Sequence, residues 1–290
     1  MIKKYFLSSC VALALAFVVS CDNTTEDPPN QNNNNNNNTS GGTTPTITGP
    51  RILSKIKSGN IDLEEYITNA GILSQAYIRD AGSSNTITAT TTYSGGKITQ
   101  IKYQDNANPH VIDNMYTLTY TSGKLSSFTM DHTALGVISN HSDFTVFYDA
   151  NGQLYRIIEK KKLAGSASYT HYIESKFTFS ANNVAKVDHS TMLMDGANPD
   201  LSTAVTVSYA YENYDTKINP YTTLPKEYFM VTSTLFQANF YMLSSNNVGK
   251  ITVQNPAGPP IPIPKNYLYD SQNYPTSDQS QTIKYIYKAL

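Results

Sequence analysis

The sequence predicts an all-β protein, a single antiparallel meander of roughly a dozen strands, curled or closed into a barrel-like sheet. Composition is the first sign. Only 15% of the 290 residues are charged, while 22 are tyrosine and none is tryptophan, a usage that suits half-buried pleated surface better than exposed helix. A recurring turn is the second sign, and a two-residue alternation of apolar and hydroxylated side chains is the third.

In chain order, Lys3 and Lys4 precede an apolar run from Val11 to Val19. The run is too short to cross a bilayer, which takes about 20 helical residues, so residues 1–20 read as an export signal. It ends in Val18-Val19-Ser20-Cys21, which resembles the lipobox of bacterial lipoproteins. That resemblance makes Cys21 the lipid attachment site and the new N-terminus; a plain secretory signal with an incidental cysteine is the competing reading. With about 0.8 kcal/mol for each buried CH₂, two or three acyl chains would anchor the protein without spanning the membrane.

Residues 21–50 read as a disordered tether, with Asn32 to Asn38 as an unbroken asparagine run flanked by Pro28, Pro29, Gly41, Gly42 and Pro45. Nothing there buries enough apolar area to offset the entropy of ordering. A flexible segment of about 30 residues reaches about 30 Å. Residues 51–290 then form one domain. Its one helical candidate is Asn60 to Ile67, where Asn60 is placed to cap and Asp62, Glu64 and Glu65 suit a first turn.

The recurring unit is an aromatic strand, a Gly/Asn/Ser turn, and a second strand opening on Leu, Ile or Val. Clear copies are Tyr93-Ser94-Gly95-Gly96-Lys97-Ile98, Tyr120-Thr121-Ser122-Gly123-Lys124-Leu125 and Tyr148-Asp149-Ala150-Asn151-Gly152-Gln153-Leu154. Weaker copies surround Gly71, Asn183 and Asn247. Gly and Asn tolerate the positive φ of tight hairpins. Gly71, Gly96, Gly123, Gly152 and Asn183 recur at intervals of 25 to 31 residues, which fits two strands and two turns and leaves no room for helical crossovers. Within strands, Val205, Val207, Tyr209 and Tyr211 alternate with Thr206, Ser208 and Ala210, and Tyr116, Leu118 and Tyr120 with Thr117 and Thr119. One face is therefore apolar and the other hydroxylated. Such a sheet must fold on itself, close, or be covered. Asn213 to Lys226 and Asn255 to Pro264 carry prolines that cannot donate to a ladder, and read as loops or edges.

The Tyr148-to-Leu154 segment resembles the YD repeat of bacterial surface proteins, which is also a hairpin. The whole layout of lipobox, Asn-rich tether, meandering hairpins, the Asn219-Pro220-Tyr221 loop and the closing Tyr274-Pro275 segment resembles Bacteroidetes lipoproteins of a domain family described as having a porin-like fold. The resemblance implies an outer-membrane or cell-surface lipoprotein and brings no catalytic residues with it. A membrane-spanning barrel, with tyrosines as an interfacial girdle, competes with a barrel or curled sheet in water whose apolar face turns inward.

Function is less legible. A formal charge of -1 leaves no basic footprint for nucleic acid, and two cysteines make neither a Cys-rich zinc site nor a disulfide scaffold. No cofactor or metal motif and no nucleophile, phosphate-loop or dinucleotide motif is present, so the reading is non-enzymatic. The histidines are His110, His132, His141, His171 and His189. Strand parity puts Asp131 and His132, and Asp188 and His189, on opposite faces, whereas His141 and Asp143 share one. Lys160-Lys161-Lys162 reads as edge protection, with an anionic partner as the alternative. Two roles follow: a module binding a glycan or apolar ligand through Tyr116, Tyr120, Tyr209 and Tyr211, or a structural and protein-interaction component of the envelope. An interior cavity would favour the first and a packed interior the second.

Overall fold

The computed structural model describes residues 49–79, 85–108, 113–134 and 136–290. The export signal, nearly all of the tether and His110 lie outside the described residues.

Twelve long strands form the meander: β1 (Arg51–Ser58), β2 (Ile61–Asn69), β3 (Ile72–Arg79), β4 (Thr86–Ser94), β5 (Lys97–Asp105), β6 (Asp113–Thr121), β7 (Lys124–Ala134), β8 (Val137–Tyr148), β9 (Leu154–Leu163), β10 (His171–Ser180), β11 (Asn183–Asp195) and β12 (Asn198–Glu212). Five short ones follow: β13 (Lys250–Gln254), β14 (Ile261–Pro264), β15 (Tyr267–Tyr269), β16 (Pro275–Asp278) and β17 (Ile283–Ala289). Each strand from β1 to β14 pairs antiparallel with the next. Strands β15 to β17 pair in turn, and β17 returns along β1, setting Arg51 opposite Ala289. The sheet of 17 strands therefore curls almost back on itself but stays unclosed. Its loose edges are β14 and β15. Pro262 and Pro264 sit on β14, as their missing N–H requires of an edge strand.

The turns fall where the marks predicted. Gly71, Gly96, Gly123 and Gly152 adopt positive φ between 75° and 83°, and Asn182 does so beside Asn183. The repeat also has a lateral logic. Tyr120 donates to the Ile98 carbonyl at 2.8 Å, Tyr148 to that of Leu125 at 2.9 Å, and Tyr214 to that of Val184 at 2.8 Å. Lys97 and Lys124 lie over the rings of Tyr120 and Tyr148, 4.7 and 5.1 Å from their centroids. The hairpins at Gly123 and Gly152 are thus each clamped to the preceding one by the tyrosine that opens their turn.

Three expectations are corrected. Asn60 to Ile67 is a turn plus β2, not a helix, because Lys55 on β1 holds Asp62 and Glu65 across the ladder at 2.8 and 3.0 Å. The segment around Asn247 is no hairpin; its Asn247 amide donates to Asp215 and Ile218. The stretch after β12 is more than the loop expected over Asn213 to Lys226. It contains a 3-10 turn at Pro220–Thr223, helix α1 (Lys226–Leu235) and a second 3-10 segment at Gln237–Leu243.

Six consecutive residues of α1, Tyr228 to Ser233, are buried, the mark of a helix surrounded on every side. It packs with Tyr66, Tyr103, Tyr116, Phe128, Phe144, Phe177 and Tyr211 of the strands in one core. Phe229 meets Tyr66 edge-on at 6.1 Å, Phe240 meets Phe177 at 4.8 Å, and Tyr103 hydrogen-bonds Thr232 at 2.6 Å. The apolar face of the sheet is therefore satisfied by wrapping the chain's own helical segment.

Candidate functional site

The four tyrosines chosen from the sequence belong to this core. Tyr116 and Tyr211 are buried at 1% and 2% exposure, and Tyr211 donates to the Gln237 carbonyl at 3.0 Å. Tyr120 and Tyr209 are partly buried and packed against the same cluster, with Tyr120 spent on its hairpin clamp. The fold brings all four to the inner face, but Tyr116 packs on Tyr103, Phe128 and Phe144 while Tyr211 packs on Tyr241 and Gln237, so they do not make one ligand surface. Burial pushes the hydroxyls of Tyr116 and Tyr211 well above the ordinary range, so both stay protonated.

Parity holds for the histidines. Asp131 and Asp188 point outward while His132 and His189 point inward. On the outer wall His141 bridges two carboxylates, Asp131 at 2.6 Å and Asp143 at 3.4 Å, and this raises its pKa, chiefly through the Asp131 hydrogen bond. Sequence spacing found Asp143 but not Asp131, which arrives by cross-strand register. No group of three metal-ligating side chains occurs among the described residues. A shallow outer cleft of about 280 Å³ is lined by Asp62, Glu65, Tyr77, Arg79, Thr86 and Asn106.

The interior changes character along its length. Around α1 the inward positions are mostly apolar, with Glu64, which accepts from the Tyr66 hydroxyl, as a buried exception; beyond the last turn of the helix they become polar. Thr234 of α1, Phe144, Ile157, Glu159, Ile173, Ser175 and His189 enclose a cavity of about 10 Å³, room for no more than one water. Ser142 donates to Glu159 at 2.7 Å, and Ser175 lies 2.9 Å from His189 Nδ1. Burial raises the pKa of Glu159 and pushes His189 down to about 4. Ser175 and His189 have the spacing of a nucleophile and base, yet a base with so low a pKa is a poor one. Glu159 is aimed at Ser142, so no third group orients the imidazole.

One residue pair further out, Lys161 stands opposite Ser142 on β8 and His171 on β10. His132 also faces inward there, 2.6 Å from Asn114. The lysine run thus splits by parity: Lys160 and Lys162 face outward and Lys161 inward.

No family model and no curated protein matches this chain. Among solved structures, it is similar to a porin-like protein from Bacteroides vulgatus, at 13% identity and a TM-score of 0.51, over 82% of this chain and 100% of that one. The chain has a porin-like β fold. Its wall differs from that of a lipid-embedded barrel in polarity: Lys102, Asp131, Asp143, Lys160, Glu174, Lys176 and Asp188 face outward from the middle reaches of the strands. Several are paired, as in Lys176–Glu174 at 3.0 Å and Lys186–Asp188 at 2.9 Å.

Proposed function

We propose that this chain is a lipid-anchored protein of the outer membrane or cell surface that works by binding, without catalysis or conduction. The carrying observation is α1 inside the curl, which leaves no continuous lumen at its level. The charged outer wall supports a domain that sits in water, since each Lys or Arg facing lipid at the midplane costs about 2–4 kcal/mol. The lipobox at Cys21 and the porin-like fold support the envelope location.

The packed interior favours the interaction role over a Tyr-lined glycan or apolar pocket. Partners then dock on the surface, as an envelope protein, glycan or lipid; nucleic acid is disfavoured by charge. Arg51 enters beside Ala289, and Gly71 lies against Leu290, so the tether joins at the end carrying the Gly71, Gly96 and Gly123 turns. The opposite end, with the polar inner positions, is the one presented away from the anchor.

The test is detergent-phase partitioning of the protein from cells, paired with planar-bilayer recordings. Wild type should enter the detergent phase, Cys21→Ala should move to the aqueous phase, and neither should open channels. Membrane retention of Cys21→Ala, or discrete conductance steps, would contradict the proposal.

A further inference from the structure

We propose that the polar vestibule beyond α1 is a binding site for a small anionic group, a carboxylate or a phosphate, with Lys161 as its charged anchor. This rests on the reading of the chain as a binding protein. The first observation is placement. An inward-facing lysine is costly unless it is paired or wet, and among the described residues the Lys161 ammonium makes no hydrogen bond or ion pair. Lys161, His132 and His171 are all half-buried, so solvent reaches them.

The second observation is the company Lys161 keeps. Its direct cross-strand neighbours are Ser142 and His171, and its positive charge holds both His132 and His171 below their ordinary pKa, adding to the effect of burial. Two imidazoles at neutral pH therefore stay uncharged beside it, as hydrogen-bonding partners. Two carboxylates lie nearby: Glu159, whose pKa burial raises against the opposing pull of Ser142 and Lys161, is engaged by Ser142, and Asp113, which acts on His132, is paired with Lys102 at 3.6 Å. The vestibule thus holds one half-buried cation without a direct ion pair, set among hydrogen-bonding side chains, which is the chemistry that captures an anion.

The third observation is the contrast with the neighbouring lysines. Lys160 and Lys162 stand on the outer wall of the same strand, so they provide an internal control for diffuse surface attraction.

The experiment is a histidine-ring NMR titration of the full chain carrying Cys21→Ala, using inorganic phosphate in one arm and galacturonate in the other, at constant ionic strength. Binding should shift the His132 and His171 resonances saturably and raise the pKa of both rings, because an anion favours the charged imidazolium. His141, on the outer wall, should not move. Lys161→Gln should weaken the response at least tenfold and Lys160→Gln by less than twofold, with unchanged melting temperatures for both. Saturation in only one arm assigns the anion as phosphate or carboxylate. No saturable shift in either arm, or equal losses from Lys160→Gln and Lys161→Gln, overturns the site. Neither failure touches the anchoring and conductance results, which test the wider proposal separately.

Discussion

Replacing Phe229 by alanine probes the helix at the centre of the curl. Phe229 is 1% exposed and meets Tyr221 and Tyr228 edge-on at 5.2 Å each, besides Tyr66 at 6.1 Å. Truncating a buried phenylalanine costs about 3–5 kcal/mol, and the loss of edge-to-face partners favours the upper half of that range. In a domain of this size each kcal/mol moves the melting temperature by about 2–4 °C, so the expected drop is about 8–20 °C. A sheet fixed by ladders on both sides of all strands but the two edges has little freedom to collapse into the void. Near-UV circular dichroism, which reports the packed tyrosines, is the assay. Leu201→Ala, at 74% exposure, is the control and should stay within about 0.5 kcal/mol of wild type. If Phe229→Ala melted within about 2 °C of that control, α1 would not be enclosed and the reasoning would fail.

Two further outcomes are expected. Gly123→Ala places a side chain at φ 83° and should cost about 1–2 kcal/mol, read as a lower urea midpoint with an unchanged m-value. Acid should weaken the fold through His189. Its folded pKa of about 4 lies below the unfolded 6.5, so under pH 6.5 the unfolded chain binds a proton that the folded one refuses. Stability then falls from pH 6.5 to 4, by up to about 3 kcal/mol, and His189→Gln should remove that slope. His141, with its pKa raised, acts with the opposite sign. Its contribution is present below pH 6.5 and fades as pH rises through its folded value.

Roughly a dozen strands were expected and the sheet has 17; the hairpins at Gly71, Gly96, Gly123, Gly152 and Asn182 were legible because a Gly or Asn sits there at positive φ, and at two of them Tyr120 and Tyr148 reach back to the previous hairpin. The five short strands after residue 249 carry no such mark and were hidden among prolines. Helix α1 was illegible for a different reason. Buried all round, Tyr228 to Ser233 show no amphipathic period, and Pro220 and Pro225 pointed to a loop. The false helix at Asn60 to Ile67 shows the converse error, since an Asn followed by acidic residues reads equally as a cap and as the acidic half of a cross-strand ion-pair set. At the site, parity placed His132 and His189 correctly, but only register could bring Asp131 to His141 or His171 to Lys161. The tyrosines misled because a strand's apolar face looks the same whether it meets a ligand or the chain's own helix.

Amide hydrogen exchange of the Tyr228 to Ser233 segment tests the central claim most directly. A helix wrapped by the sheet can exchange only when the whole curl opens, so these amides should be as slow as those of β10 and β11. Exchange as fast as that of the exposed turns at Gly136 and Gly196 would show that the helix lies outside, and the account of a self-filled, water-facing curl would be wrong.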